Sequence, residues 1–298
     1  MKPVIGLLVI LAVLGWTGHA RANNDVKQVS INGSEFAYVE AGSGDPLVLV
    51  HGGLQDYRLW ADLLLEFSRH FRVIAYSRRN HFPNQMSADG TPDGAGDVHA
   101  EDLKLLISAL GLKRVHIVAH SSGAVAAMFF AARNPESVRA LALNEPPAAG
   151  LLASTTDGPA ILREFGTGLT PAREAFRARD FDRAVRLFVD AVGQPGAFER
   201  RSVADRRMAM DNVLAHLADS ISTQPRAPFN CDSAKHVTVP TLLTNGEHSP
   251  RFFHRIVEEL AGCLPRAERA MIPNASHTVP RENPQSYSQA ILAFLTKN

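Results

Sequence analysis

Two cysteines, Cys231 and Cys263, are all that the 298-residue chain contains. That is too few for a cysteine-rich metal site or a disulfide-framed miniprotein, and enough for one bridge in an oxidising compartment. Charge of either sign is not in excess: Lys+Arg 31 stand against Asp+Glu 30. A nucleic-acid binder normally carries a basic surplus, so none is expected as a partner. Repeats and low-complexity blocks are missing too. With hydrophobic residues at 45% and charged ones at 20%, the chain is too apolar to stay disordered.

No apolar run reaches the ~20 residues that span a bilayer. The longest, Val4 to Leu14, follows Met1-Lys2-Pro3 and precedes Ala20-Arg21-Ala22, the layout of a cleavable secretion signal. Residues 1–22 are therefore read as a leader and the mature chain is expected to start near Asn23. A periplasmic or secreted location follows. No stable membrane anchor is expected after cleavage, because no cysteine sits at the cleavage point to carry a lipid.

What is present is an alternating pattern. Strand-like runs occupy Val26–Ile31, Phe36–Ala41, Pro46–Val50, Arg72–Tyr76, Arg114–Ala119, Val138–Leu143, Val239–Thr244 and Ala267–Ile272. Helical stretches fall between them: Tyr57–His70, a segment with Leu103, Leu106, Ile107 and Leu110 at helical spacing, Gly123–Arg133, Arg251–Ala261 and Asn283–Leu295. Strands that alternate with helices predict an α/β fold, with a mainly parallel sheet covered on both faces. The rhythm breaks after Asn144-Glu145-Pro146-Pro147. Some ninety residues follow with helical patterns, among them Phe181–Val192 and Ser202–Ile221, and no convincing strand. The expected organisation is a core of 23–145 and 237–298 with a helical cap inserted over 146–236.

The chemistry centres on Val118-Ala119-His120-Ser121-Ser122-Gly123, a serine between a strand and a helix with small residues two positions before and after it. A nucleophile on so sharp a turn sits in strained backbone, and larger neighbours would strike the adjoining strand and helix. This is the G-x-S-x-G elbow with Ala119 replacing the first glycine. On these residues the chain resembles the α/β-hydrolase superfamily, and the likeness extends over essentially everything after the leader.

The resemblance implies site residues one by one. His51-Gly52-Gly53 matches the oxyanion loop, where the amide of Gly53 joins that of Ser122, and His51 itself is expected to be structural. The base is expected after the last strand, where His277 stands. His120, next to the nucleophile, is expected to point away. The acid is ambiguous. The usual slot after the seventh strand reads Gly246-Glu247-His248-Ser249, with serine where aspartate is typical. A second slot, after the sixth strand, holds Glu145. Glu145 is favoured and Glu247 is the alternative. Tyr76-Ser77-Arg78-Arg79-Asn80-His81 departs from the family's D-x-R-G-x-G turn, with no clear consequence for activity. Trp60 and Phe82 stand open between core and acyl pocket. The fold also puts Cys231 and Cys263 at the sheet end away from the site, which makes a disulfide between them plausible.

The implied activity is hydrolysis of small-molecule carboxylic esters or lactones through an acyl-enzyme, a reaction that needs no metal or organic cofactor. Hydrolysis of a carbon–carbon bond, acyl transfer, and a non-catalytic binding role on the same fold remain as alternatives.

Overall fold

The computed structural model describes residues 25–86, 96–221 and 228–298. The leader expected over residues 1–22 and part of the polar loop after Tyr76 lie outside the described residues. Eight strands form one sheet: β1 (Lys27–Ile31), β2 (Ser34–Ala41), β3 (Pro46–Val50), β4 (Arg72–Tyr76), β5 (Val115–His120), β6 (Val138–Asn144), β7 (Thr241–Gly246) and β8 (Ala267–Ile272). Their spatial order is β1-β2-β4-β3-β5-β6-β7-β8. β2 runs antiparallel to both β1 and β4, and every later pairing is parallel.

The helices are α1 (Ala61–Phe67), α2 (Gly96–Ala109), α3 (Ser122–Arg133), α4 (Gly158–Gly168), α5 (Thr170–Arg177), α6 (Phe181–Val192), α7 (Ala197–Arg200), α8 (Val203–Asp211), α9 (Val213–Ile221), α10 (Cys231–Ala234), α11 (Arg251–Cys263), α12 (Val279–Glu282) and α13 (Pro284–Leu295). Side-chain alternation in the strands sorts them into layers. Val48, Val50, Ile117 and Ala119 pack with Leu103, Leu106, Phe130 and Ile256, so α2, α3 and α11 cover one face. Leu47, Leu49, Val118 and Ala140 pack with Leu63, Phe67, Ile291 and Phe294, so α1 and α13 cover the other. All of β5 is buried, as a central strand with both faces covered must be.

A third apolar cluster joins Ala175, Phe176, Val185, Val189, Ala209 and Val213, from helices between β6 and β7, to Leu54 in the loop after β3. Two helical expectations change in detail. Tyr57–His70 is a 3-10 turn, Tyr57–Trp60, followed by the short α1. Asp56 caps the turn through Arg58 N–H, and the chain reverses after Phe67, whose carbonyl takes the His70 amide. Ser202–Ile221 is two helices, α8 and α9, because Asn212 between them is committed elsewhere. Its Nδ2 donates to Asp56 Oδ2 at 2.7 Å and its Oδ1 accepts the Phe82 amide at 2.8 Å. One buried amide therefore stitches the inserted helices to two core loops.

The Cys231 and Cys263 sulfurs are 2.12 Å apart, joining α10 to the end of α11 across a sequence separation of 32 residues. A loop of that length confines the unfolded chain by about 3–4 kcal/mol in the chain-entropy account. Replacing both cysteines by serine should lower the melting temperature by roughly 6–16 °C, read by calorimetry. Thiol titration under denaturing conditions should find no free thiol before reduction and two after it.

Candidate active site

β5 and β6 end in register, His120 paired with Asn144, while β7 runs two residues past Thr244, the partner of Asn144. Ser121 and Glu145 are the residues that follow the first two of these strands. Both take positive φ, 53° and 47°, conformations that cost about 1–3 kcal/mol each in a non-glycine residue. The Ser121 amide donates to Asn144 O at 2.8 Å, and the Glu145 amide to Thr244 O at 3.2 Å. Each corner is thus pinned by the neighbouring strand. Gly123 permits the elbow, since a Cβ there would lie 2.2 Å from His51 O.

His277 arrives from the loop between β8 and α12. Its Nδ1 donates to Glu145 Oε2 at 2.7 Å, and its Nε2 lies 3.0 Å from Ser121 Oγ, which donates to it. Glu145 is fully buried. Its second oxygen, Oε1, accepts the Gly246 amide at 2.8 Å and Asn245 Nδ2 at 3.3 Å. Burial pushes the Glu145 carboxyl above the usual carboxylate range, while the Ser249 hydroxyl and the Gly246 and Asn245 donors pull it back toward ionisation. Burial, with the positive charge of Arg201, holds the imidazole of His277 below its ordinary range, in its neutral and basic form. Phe253 stacks on that ring, with centroids 4.0 Å apart.

Glu247 does not reach this cluster: it is exposed, and its Oε2 accepts the Asn274 amide at 3.0 Å. Ser249, in the aspartate slot, is buried beside Glu145. His120, expected to point away from the nucleophile, instead lies against the His277 segment. Its Nε2 donates to His277 O at 2.9 Å and its ring lines the cavity. The strand's alternation sends it under the oxyanion loop, where Gly52 leaves room: a Cβ on Gly52 would fall 2.8 Å from His120 Nδ1.

Gly53 and Ser122 both line the cavity. The Ser122 amide opens α3 and so has no intrahelical acceptor. Arg78, buried, braces this corner by donating to Gly52 O and Ser122 Oγ, both at 3.2 Å. The Arg78 amide donates to His51 Nε2 at 2.9 Å, a bracing role for that ring. Trp60 and Phe82 leave the pocket. Trp60 is in the core beneath α1, and Phe82 lies on the surface under the Arg58 guanidinium, 4.2 Å from its ring centre.

The cavity above Ser121 has a volume of about 640 Å³. Leu162, Phe165, Phe176, Phe188 and Val189, from helices between β6 and β7, form its apolar walls, while Arg201 and His216 come from the same segment. Sequence reasoning missed Arg78, Gln55, Phe253 and Arg201. Only Arg78 carried a signal, by falling in the irregular turn after β4. Among the described residues no group of His, Cys, Asp and Glu is arranged to hold a metal ion, and no helix is long and apolar enough to cross a membrane.

Comparison with known proteins agrees with this architecture. The family model described as alpha/beta hydrolase fold matches residues 45–284, and the chain belongs to that family. It is 26% identical over 281 residues to the soluble epoxide hydrolase of Corynebacterium sp. (strain C12), covering 90% of this chain and 96% of the relative. It is also 26% identical over 251 residues to the carboxylesterase YbfK of Bacillus subtilis (strain 168), covering 84% of this chain and 79% of the relative. Among solved structures, the enol-lactonase from Burkholderia xenovorans LB400 superposes with a TM-score of 0.71 at 20% identity, over 91% of this chain and 100% of that one. These three carry the names of hydrolases, and membership of the family supports hydrolytic activity for this chain.

The elbow makes a stability prediction. Gly123→Ala should cost about 3 kcal/mol or more, because a backbone carbonyl cannot yield as a side chain does, and should lower the melting temperature by roughly 6–12 °C. Gly262→Ala is the control: nothing lies within 4 Å of its Cβ position on α11, so it should melt at or slightly above the wild-type temperature.

Proposed function

We propose that the protein is a serine hydrolase of carboxylic esters or lactones, with Ser121 as nucleophile, His277 as base and Glu145 as the acid that orients it. The 3.0 Å contact of Ser121 Oγ with His277 Nε2 carries this assignment. In the proposed cycle Ser121 Oγ attacks the acyl carbon while its proton passes to His277 Nε2. The carbonyl oxygen takes the displaced electron pair and is held by the amides of Gly53 and Ser122. Collapse expels the alcohol, which leaves with the proton from His277. Water then attacks the acyl-serine, again deprotonated by His277, and the acid is released. Each oxyanion donor is worth about 3 kcal/mol of barrier, and the buried Arg78 charge beneath them adds to that field.

The same serine argues against epoxide opening, the activity in the name of one relative. An alkoxide that opens an epoxide forms an ether, which water cannot release. An aspartate would form an ester, which water can. An acyl group on Ser121 is by contrast an ester and turns over. For location, we propose the periplasm or the exterior, with the joined sulfurs of Cys231 and Cys263 as the supporting feature.

A fluorophosphonate probe should label wild-type protein at Ser121, located by peptide mass spectrometry, and should not label Ser121→Ala. Hydrolysis of 4-nitrophenyl butyrate should fall by about 10³-fold or more in Ser121→Ala and by about 10²–10⁴-fold in Glu145→Gln, whose amide cannot support the imidazolium. Glu247→Gln should stay within about twofold of wild type. Full activity in Glu145→Gln with loss in Glu247→Gln would reverse the choice of acid.

A further inference from the structure

Arg201 stands between α7 and α8 with its side chain turned inward to the cavity wall. Its one hydrogen bond among the described residues is Nη2 to Thr278 Oγ1 at 2.9 Å. A guanidinium has five N–H donors in a planar fork, so most of this one's capacity is unused. The carboxylates whose charge reaches it are engaged elsewhere. Asp190 accepts the Gly196 and Phe198 amides at 3.2 and 2.8 Å. Asp205 pairs with Arg281 at 2.8 Å, and Glu282 accepts the Ser276 amide. None forms an ion pair with Arg201.

The main cavity has no acidic lining, although Asp205 and Glu282 line the polar cavity beside it. Arg173, Arg177 and Arg201 line the main cavity and no Asp or Glu does. Arg173 and Arg177 are exposed and therefore screened, which leaves Arg201 as the cation in a partly desolvated position. Thr278 Oγ1 spends a lone pair on Arg201, and its own proton is free to donate. Arg201, Thr278 and Gln55 also line a neighbouring polar cavity of about 480 Å³, so the guanidinium stands where the apolar pocket meets a polar one. Thr278 follows His277 in the chain, which puts this point close to the reacting atoms.

We propose that Arg201 and Thr278 form a carboxylate-binding subsite, and that the preferred substrate is an ester or lactone whose body is apolar and which carries a free carboxylate a few atoms from the scissile bond. The fork of Arg201 takes the two carboxylate oxygens and the Thr278 hydroxyl donates to one of them, while the aromatic walls take the hydrocarbon. The substrate class rests on the serine hydrolase proposed above; the anion subsite itself does not.

The test compares 4-nitrophenyl hydrogen glutarate with 4-nitrophenyl valerate, acyl groups of equal chain length with and without the acid. Wild type should favour the glutarate half-ester in kcat/KM by about tenfold or more. In Arg201→Met that preference should fall at least about tenfold, chiefly through KM, and Arg201→Lys should restore part of it. Thr278→Val should reduce it less. Calorimetric titration of free glutarate into Ser121→Ala protein reads the subsite without turnover, and Arg201→Met in that background should abolish the binding. A wild type that prefers valerate, or a preference and glutarate affinity that Arg201→Met leaves within about twofold, overturns the proposal. If neither ester is cleaved and Ser121 is not labelled by fluorophosphonate, the hydrolase assignment fails and the glutarate titration alone decides the subsite. Should Arg201→Met not fold, Arg201→Lys and Thr278→Val carry the same comparison.

Discussion

The parallel ends of β5 and β6 stop opposite one another, and each strand turns out of the sheet at one non-glycine residue with positive φ. Those two corners, Ser121 and Glu145, fix a hydroxyl and a carboxylate on adjacent strands before any ligand is present. The His277 ring is then held from both sides, with Nδ1 against Glu145 and Nε2 against Ser121. Neither corner is relaxed by itself. Amide donation to the next strand over, together with the glycine at 123 that allows α3 to start so close to β3, makes the strained arrangement the one the sheet requires. The strain is local and the restraint is spread across the central strands, which is how a few kcal/mol of unfavourable backbone can persist in a stable fold.

Around that frame the ionisable groups are buried in a consistent pattern. Glu145 accepts from two donors besides the imidazole, which offset part of the cost of burying a carboxylate. Arg78 lies under the oxyanion loop with carbonyl and hydroxyl oxygens rather than a carboxylate as its acceptors. Among the described residues no carboxylate pairs with it, so its charge stands uncancelled beside the corner that Gly52 and Ser122 form. Arg201 biases His277 toward its neutral form from the other side. A preorganised field of this kind costs folding energy and saves reorganisation during reaction.

Much of this was legible in the residues because it depends on backbone. The β5 pattern and the small residues at 119 and 123 are constraints of turn geometry that local sequence must satisfy, whereas the places of His277 and Glu145 followed from the family resemblance, with Glu247 as the alternative acid. The mainly parallel sheet followed from alternation, which the two packed faces require. What was hidden depends on side chains meeting across long separations. Asn212 divides a helix that periodicity reads as continuous, because its amide is used 156 residues away at Asp56. His120 was misjudged because backbone direction alone does not show that the His277 segment folds back against that ring. Arg201 had no signal, since an arginine in a helical segment is usually solvated, and only the folded chain turns this one inward.

The proposed acid shows how neighbouring parallel strands can offer a carboxylate to the same histidine. Glu145 follows β6 and the more usual slot follows β7, yet β6 and β7 are neighbours paired from Leu141 with Thr241 to Asn144 with Thr244. A carboxylate moved by one strand shifts by about 5 Å, a distance that the longer glutamate side chain helps to cover. The slot after β7 holds Ser249, buried next to Glu145. A second carboxylate there would have set two negative charges against each other and raised the pKa of one of them. A hydroxyl there adds no such charge.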